Sequence, residues 1–217
     1  MYRLRFYQDT LGPRAAADNL YAQHSILYVY KGSAAVSGAD LKADQAVYAT
    51  DAVPIISGDN GAVLWRWELD REGAKPNLAR GDGVESRLRM VREIKMFELY
   101  PTTRWQFKLD CIYNNVGSTG LHSHPGSGIR CLLSGNLNTV SEKGEDTRNY
   151  TPGDCWYEEG AYPLVSTTDE GSKAAFLRGM LLPPEYAQYP DTAIWIEGKK
   201  GCESDWKGYV SQIIHLR

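Results

Sequence analysis

Two histidines one residue apart, His122 and His124, sit in the stretch GSTGLHSHPGSGIRCLLSG (residues 117–135). A glycine-bearing turn leads in and Pro125-Gly126 follows. Alternate residues of an extended chain point the same way, so the spacing aims two imidazoles at one place. Neutral imidazole is a ligand for Zn, Cu, Fe and Ni. With a pKa near neutrality it also moves protons in either direction. A catalytic metal centre takes three protein ligands and leaves a position open, so a third group has to come from elsewhere. Glu158 of DCWYEE is the best placed carboxylate, and two histidines with one carboxylate suit Fe(II) and dioxygen. Cys111 is a poorer third ligand. Arg130 acts against a cation and for an anion, because its guanidinium grips carboxylate or phosphate through parallel N–H donors.

These groups have to be carried by strands. Helical periodicity is scarce, and short runs rich in Val, Ile, Tyr, Leu and Trp recur between Gly, Asp, Asn and Pro. SILYVYKG, AVLWRWEL, WQFKLDCIY, IRCLLSG and AAFLRGMLL are examples. That pattern marks an all-β sandwich or barrel. A length of 217 residues allows one large β-domain or two small ones. Self-similarity decides for two. LKADQAVYATDAVPIIS (41–57) lies over YTPGDCWYEEGAYPLVS (150–166), AVLWRWEL (62–69) over AAFLRGML (174–181), and SILYVYKG (25–32) over GIRCLLSG (128–135). The blocks keep their order, and Arg66 falls on Arg178. The expected domains are 1–80 and 81–217, joined within the polar segment EGAKPNLARGDGVES (72–86).

Residues 117–166 resemble the two motifs of the cupin superfamily: glycine, His-x-His, a Glu, a closing Gly, then a Pro-Gly-Asp turn, a strand and a third His. With the repeat, the resemblance extends over most of residues 20–182, and the chain looks like a bicupin. The implied fold is two tandem cupin jelly-roll barrels, the first degenerate and the second carrying the HxH motif. The departures are specific. The family Glu falls on Gly128 and the third His on Pro163 or Leu164. "HPGSGIR" is similar to a subset of bacterial cupins in which the Glu position is also Gly.

Strand parity, counted from the family's inward ligand position at residue 128, turns Arg130 inward, with Trp156 and Glu158 sharing a face. The expected cavity holds His122, His124, Arg130, Trp156 and Glu158. Its counterparts in the first copy are Asn19, Tyr21, Leu27, Val47 and Ala49, so a filled first barrel and a polar second one are expected. Burying Arg or Glu without a partner costs several kcal/mol, so that set is paired, hydrated or liganded.

Three readings follow for the second barrel. In one, His122, His124 and Glu158 hold a divalent transition metal (Fe, Mn, Ni or Zn) for oxygenase-like or isomerase-like chemistry. In another, no metal is needed: Glu158 orients a histidine base while Arg130 and Trp156 hold an anionic or sugar-like small molecule in an epimerase-like cupin. In the last, the barrel only binds a ligand, or His122 and His124 are hydrogen-bonded to water or backbone beside an Arg130–Glu158 ion pair.

Other functions are excluded or disfavoured. A net charge of −3 with dispersed basic residues gives no nucleic-acid footprint. No Lys follows the glycines in phosphate-loop spacing, and no GxSxG elbow occurs. No apolar run approaches the ~18 residues that span a bilayer, and the start MYRLRFYQDT is not a secretory leader. Cys111, Cys131, Cys155 and Cys202 form no CxxC pair and read as reduced thiols. A cytoplasmic protein is expected. The terminal segments MYRLRFY and YVSQIIHLR could pair across a homodimer. His24 and His215 read as packing residues, and the repeated Arg66 and Arg178 as structural ones.

Overall fold

The computed structural model describes residues 1–95, 100, 102–141, 148–169, 173–189, 191–196, 198 and 201–216, without the side chains of Asn19 and Arg148. The chain is all-β and divides into two compact units, Met1–Ile94 and Lys95–Arg217. Among the described residues no helix is long and apolar enough to cross a membrane.

The first unit is a five-stranded sheet of β1 (Tyr2–Leu11), β2 (Ala16–Val36), β3 (Ala39–Lys42), β4 (Ala46–Arg71) and β5 (Val84–Glu93), in the order β3-β2-β4-β1-β5. Ser37 and Gly38 join β2 to β3 with both φ angles positive, 49° and 82°. Two such residues match the twist of a hairpin. The long strand β4 flanks β2 twice: Ile26 lies opposite both Tyr48 and Trp67. One face buries the apolar cluster of Leu27, Val29, Ile55 and Leu64.

Two expectations are corrected here. The boundary falls at 94/95 rather than 80/81, because VESRLRMVRE forms β5 and pairs with β1 from Arg3↔Glu93 to Leu11↔Val84. The residues of β5 alternate between half-buried and exposed, as in an edge strand with one solvated face. The first unit is also not apolar throughout. Leu27 and Ala49 are buried as expected, and Tyr21 is exposed, but Arg5, Asp9, Arg66 and Glu68 are buried elsewhere on β1 and β4.

The segment after β4 closes over these groups. Arg5 donates to Asp70 (2.6 Å) and to the carbonyls of Ala74 and Lys75. Arg66 donates to Asp9 and Glu68, and to the Asn77 carbonyl at 2.9 Å. Asn77 Nδ2 donates to Glu68 Oε1 (2.8 Å), and its backbone N–H donates to the Tyr7 hydroxyl (3.0 Å). The polar stretch read as a linker is therefore the lid of a buried polar network. Charged groups can be buried here because each meets an opposite charge or a carbonyl.

The second unit has two sheets. One runs β12-β9-β14-β6-β16, from β6 (Arg104–Asn114), β9 (Gly128–Ser134), β12 (Cys155–Glu158), β14 (Ala174–Leu182) and β16 (Ser204–His215). The other runs β11-β10-β13-β8-β15, from β8 (His122–Ser123), β10 (Leu137–Ser141), β11 (Arg148–Tyr150), β13 (Leu164–Thr168) and β15 (Ile194–Trp195), with β7 (Gly117–Ser118) paired to β13. Side chains of both sheets meet around one cavity.

Candidate functional site

Glycines and a serine shape the turn carrying the histidines. Ser127 Oγ donates to the Glu159 carbonyl at 2.7 Å, and the His124 N–H donates to the Gly160 carbonyl at 2.8 Å. These bonds pin the turn to the end of β12. Gly160 has φ +98°, and a Cβ there would stand 2.5 Å from the Gly126 carbonyl oxygen. Only glycine fits that approach. Gly128, at the family's Glu position, is equally constrained: a Cβ would lie 2.5 Å from the Gly179 carbonyl oxygen.

The cavity contains about 50 Å³ of water-accessible space. That is room for a few waters or a very small ligand. His122, His124, Arg130 and Glu158 all line it, as strand parity predicts. Trp156 does not. It stacks on Tyr150, ring centroids 4.4 Å apart, and its Nε1 donates to Glu158 Oε1 at 2.8 Å. Trp156 fixes the carboxylate from behind. Cys111 is buried on β6, one residue out of step with the cavity-lining Ile112.

The imidazole centroids are 5.0 Å apart and nearly perpendicular, at 82°. His122 Nδ1 donates to the Gly120 carbonyl at 2.8 Å, since a carbonyl only accepts. That bond fixes the tautomer and leaves Nε2 with its lone pair. Burial lowers the His122 pKa, against the Gly120 bond and Glu158. Burial also pushes His124 down, to about 4, although Glu158 pulls upward. Both rings are neutral at pH 7. His124 Nε2 stands 3.3 Å from Glu158 Oε2, and its Nδ1 stands 3.4 Å from the Thr192 carbonyl. A neutral ring has one N–H for these two acceptors, and the carboxylate is the stronger.

Burial would raise the Glu158 pKa, but Arg130 and then His124 hold it well below the usual carboxylate range. Arg130 Nη2 is 2.8 Å from Glu158 Oε2. The contact is Coulombic rather than aligned: neither Arg130 Nε nor Arg130 Nη2 makes a hydrogen bond of good geometry. Arg130 Nη1 is satisfied by the Gly128 carbonyl at 2.6 Å. The Nε donor of a fully buried guanidinium is thus unmet at the edge of a cavity, and Nη2 meets only the Glu158 carboxylate.

The third ligand of a metal centre would have to be Glu158, which here is held by Arg130. Among the described residues no three His, Cys, Asp or Glu side chains are grouped to hold a metal ion. Glu158 faces Arg130, and the guanidinium beside it opposes a second cation. Gly128 supplies no carboxylate, and Leu164, opposite His122 in the sheet, supplies no imidazole.

The sequence reading missed several lining residues. Arg178, set aside as structural because it repeats, lies directly across from Arg130 in the sheet and also lines the cavity. Its signal was the strand pairing itself, which equal parity in IRCLLSG and AAFLRGMLL suggests. Asp191 and Trp195 also line the cavity but lie in a loop and a two-residue strand without any period.

No protein-family model and no curated protein matches the sequence. Solved structures do. An oxalate decarboxylase from Lactobacillus farciminis, in a formate complex, superposes with a TM-score of 0.62 at 11% identity, covering 90% of this chain and 80% of its own. A Bacillus subtilis oxalate decarboxylase variant gives 0.58 at 15% identity, covering 83% and 68%. A salicylate 1,2-dioxygenase from Pseudaminobacter salicylatoxidans gives 0.53 at 14%, covering 92% and 75%. The chain shares its fold with these structures.

Proposed function

We propose that the second unit is a small-molecule enzyme site of a bicupin, each unit being one jelly-roll barrel, and that it binds a small carboxylate. Arg130 grips the anion and His122 Nε2 takes or returns a proton. The carrying observation is the fully buried Arg130 at the cavity, its Nε without a partner and its Nη2 in ion contact with Glu158 alone. A buried donor without an acceptor is costly, and a ligand carboxylate supplies two acceptors in the matching fork. Glu158 orients His124 and balances the guanidinium while the cavity is hydrated. The neutral, tautomerically fixed His122 is the better proton acceptor of the pair. Oxalate decarboxylase and salicylate dioxygenase, as similar folds, lend support by acting on small carboxylates.

The test is calorimetric titration with acetate, oxalate, pyruvate and lactate. One of them binds at millimolar affinity or better, and Arg130→Lys, which keeps the charge but loses the fork, weakens it at least tenfold. Equal affinity in both proteins rejects the clamp.

A second reading keeps the metal on His122, His124 and Glu158. One Bacillus subtilis oxalate decarboxylase structure of this fold is described through its Mn(II) centres. This reading requires Glu158 to leave Arg130. Protein purified without an affinity tag and supplied with Fe, Mn, Ni and Zn decides it: stoichiometric metal lost in His122→Ala supports this reading.

A further inference from the structure

The second unit has another hollow, a groove of about 450 Å³ along β6 and β16. Its size is that of a small-molecule site. Gln106, Lys108 and Asp110 alternate along β6 and therefore share a face, and all three line the groove. Trp206 and Tyr209 of β16 and the exposed Tyr189 add aromatic walls.

Two features point to an occupant. Gln106 is only 2% exposed, and its Nε2 donates to Ser211 Oγ at 2.8 Å, yet its Oε1 has no partner. A buried amide oxygen in that state awaits a donor. Lys108 Nζ lies 2.8 Å from Asp110 Oδ2, and the same carboxylate is held by Arg178. Lys108 shares this carboxylate with Arg178, and Lys108 is the cation that lines the groove.

We propose that this groove binds a polyhydroxylated carboxylate, such as a sugar acid. The carboxylate meets Lys108, a hydroxyl donates to Gln106 Oε1, and the carbon face lies on Tyr209 and Trp206. Aromatic faces with polar groups at one end suit such an amphipathic ring. Trp206 lines both hollows, but Arg130 is not among the residues of this one, so the Arg130 variant separates this site from the carboxylate reading above.

Glucuronate titration with the full chain tests it, glucose being the uncharged control. Saturable glucuronate binding is expected, at least tenfold weaker for glucose, for Gln106→Leu and for Lys108→Met, and unchanged in Arg130→Lys. Absence of saturable binding overturns the proposal. So does equal affinity in Gln106→Leu and Lys108→Met, or loss in Arg130→Lys. Should the variants fail to fold, the wild type still decides: magnetisation transfer from glucuronate to the Tyr209 and Trp206 ring protons supports the site, and its absence from both rings rejects it.

Discussion

Arg178 and Asp110 face each other across β14 and β6 and meet through a fork, Nε to Oδ1 at 2.9 Å and Nη2 to Oδ2 at 2.8 Å. The pair explains how two arginines can stand side by side. Arg130 lies opposite Arg178 on the adjacent strand, and like charges directly opposite destabilise a sheet. Asp110 takes one guanidinium and Glu158 the other. Burial would raise the Asp110 pKa, but Arg178 and Lys108 hold it below the usual carboxylate range. The first unit has a second forked pair, Arg66 to Asp9 at 2.7 and 3.2 Å. There Tyr7 lies opposite Arg66, and Asp9 reaches it from two residues along.

Removing the shared carboxylate should therefore be severe. Asp110→Asn leaves Arg178 and Lys108 buried without their counter-charge. Breaking a buried pair costs roughly 3–5 kcal/mol. Urea denaturation should show a loss of that size. Asp110→Leu with Arg178→Met, which removes both charges, should recover part of it. A loss under about 1 kcal/mol in Asp110→Asn would mean that water already screens the pair.

Restoring the family carboxylate should fail. A Cβ at residue 128 meets the Gly179 carbonyl oxygen at 2.5 Å and Met180 Cγ at 2.8 Å. Gly128→Ala should cost about 1–3 kcal/mol, as overpacking does. Gly128→Glu should bind Mn(II) no better than the wild type. A Mn(II) titration that gains affinity in Gly128→Glu would show that β14 can yield.

The histidine pair, the Pro-Gly-Asp turn and strand parity made His122, His124, Arg130 and Glu158 legible in the sequence as neighbours of one cavity, because a period of two assigns faces reliably. Three things were not legible. Trp156 shares the face of Glu158 but packs on Tyr150, since parity gives a face and not a neighbour. Asp110 and Arg178 needed pairing between strands far apart in sequence. The polar network of the first unit was hidden because it lies away from the positions equivalent to the histidine site. Arg5, Asp9 and Glu68 lie on other parts of β1 and β4, and Asn77 lies in a segment without periodicity.

In the first unit, pH should act through Glu68. Burial raises its pKa to about 7, although Arg66 and Asn77 pull it down. Its Oε2 has no partner. An acid whose folded pKa is raised binds a proton more readily in the folded state. Its contribution is complete below about pH 4.5 and is lost as pH rises towards 7, by up to about 3 kcal/mol. Amide exchange of residues 62–71, corrected for intrinsic rates, should lose protection from pH 5 to pH 7.5. Glu68→Gln should flatten that dependence. A flat wild-type profile would mean that Arg66 keeps Glu68 ionised throughout.

The second unit should respond in the opposite sense. His124 titrates at about 4 in the fold because burial opposes its charge, and His122 is shifted the same way. An unfolded histidine gains its proton near pH 6.5. As pH falls below that, the unfolded chain binds protons that the folded unit does not accept, and stability declines until the folded pKa is passed. For His124 alone the loss is up to about 3 kcal/mol. Glu158 adds to it at lower pH, because its depressed pKa makes the folded carboxylate resist protonation. Amide protection across 105–114 and 174–182 should therefore fall from pH 7 to pH 4.5, the range in which the first unit gains. His124→Gln should remove much of the decline above pH 5 while leaving the Glu158 part below it. If protection in both units moved together with pH, His124 would not be held neutral and the burial argument for the site would fail.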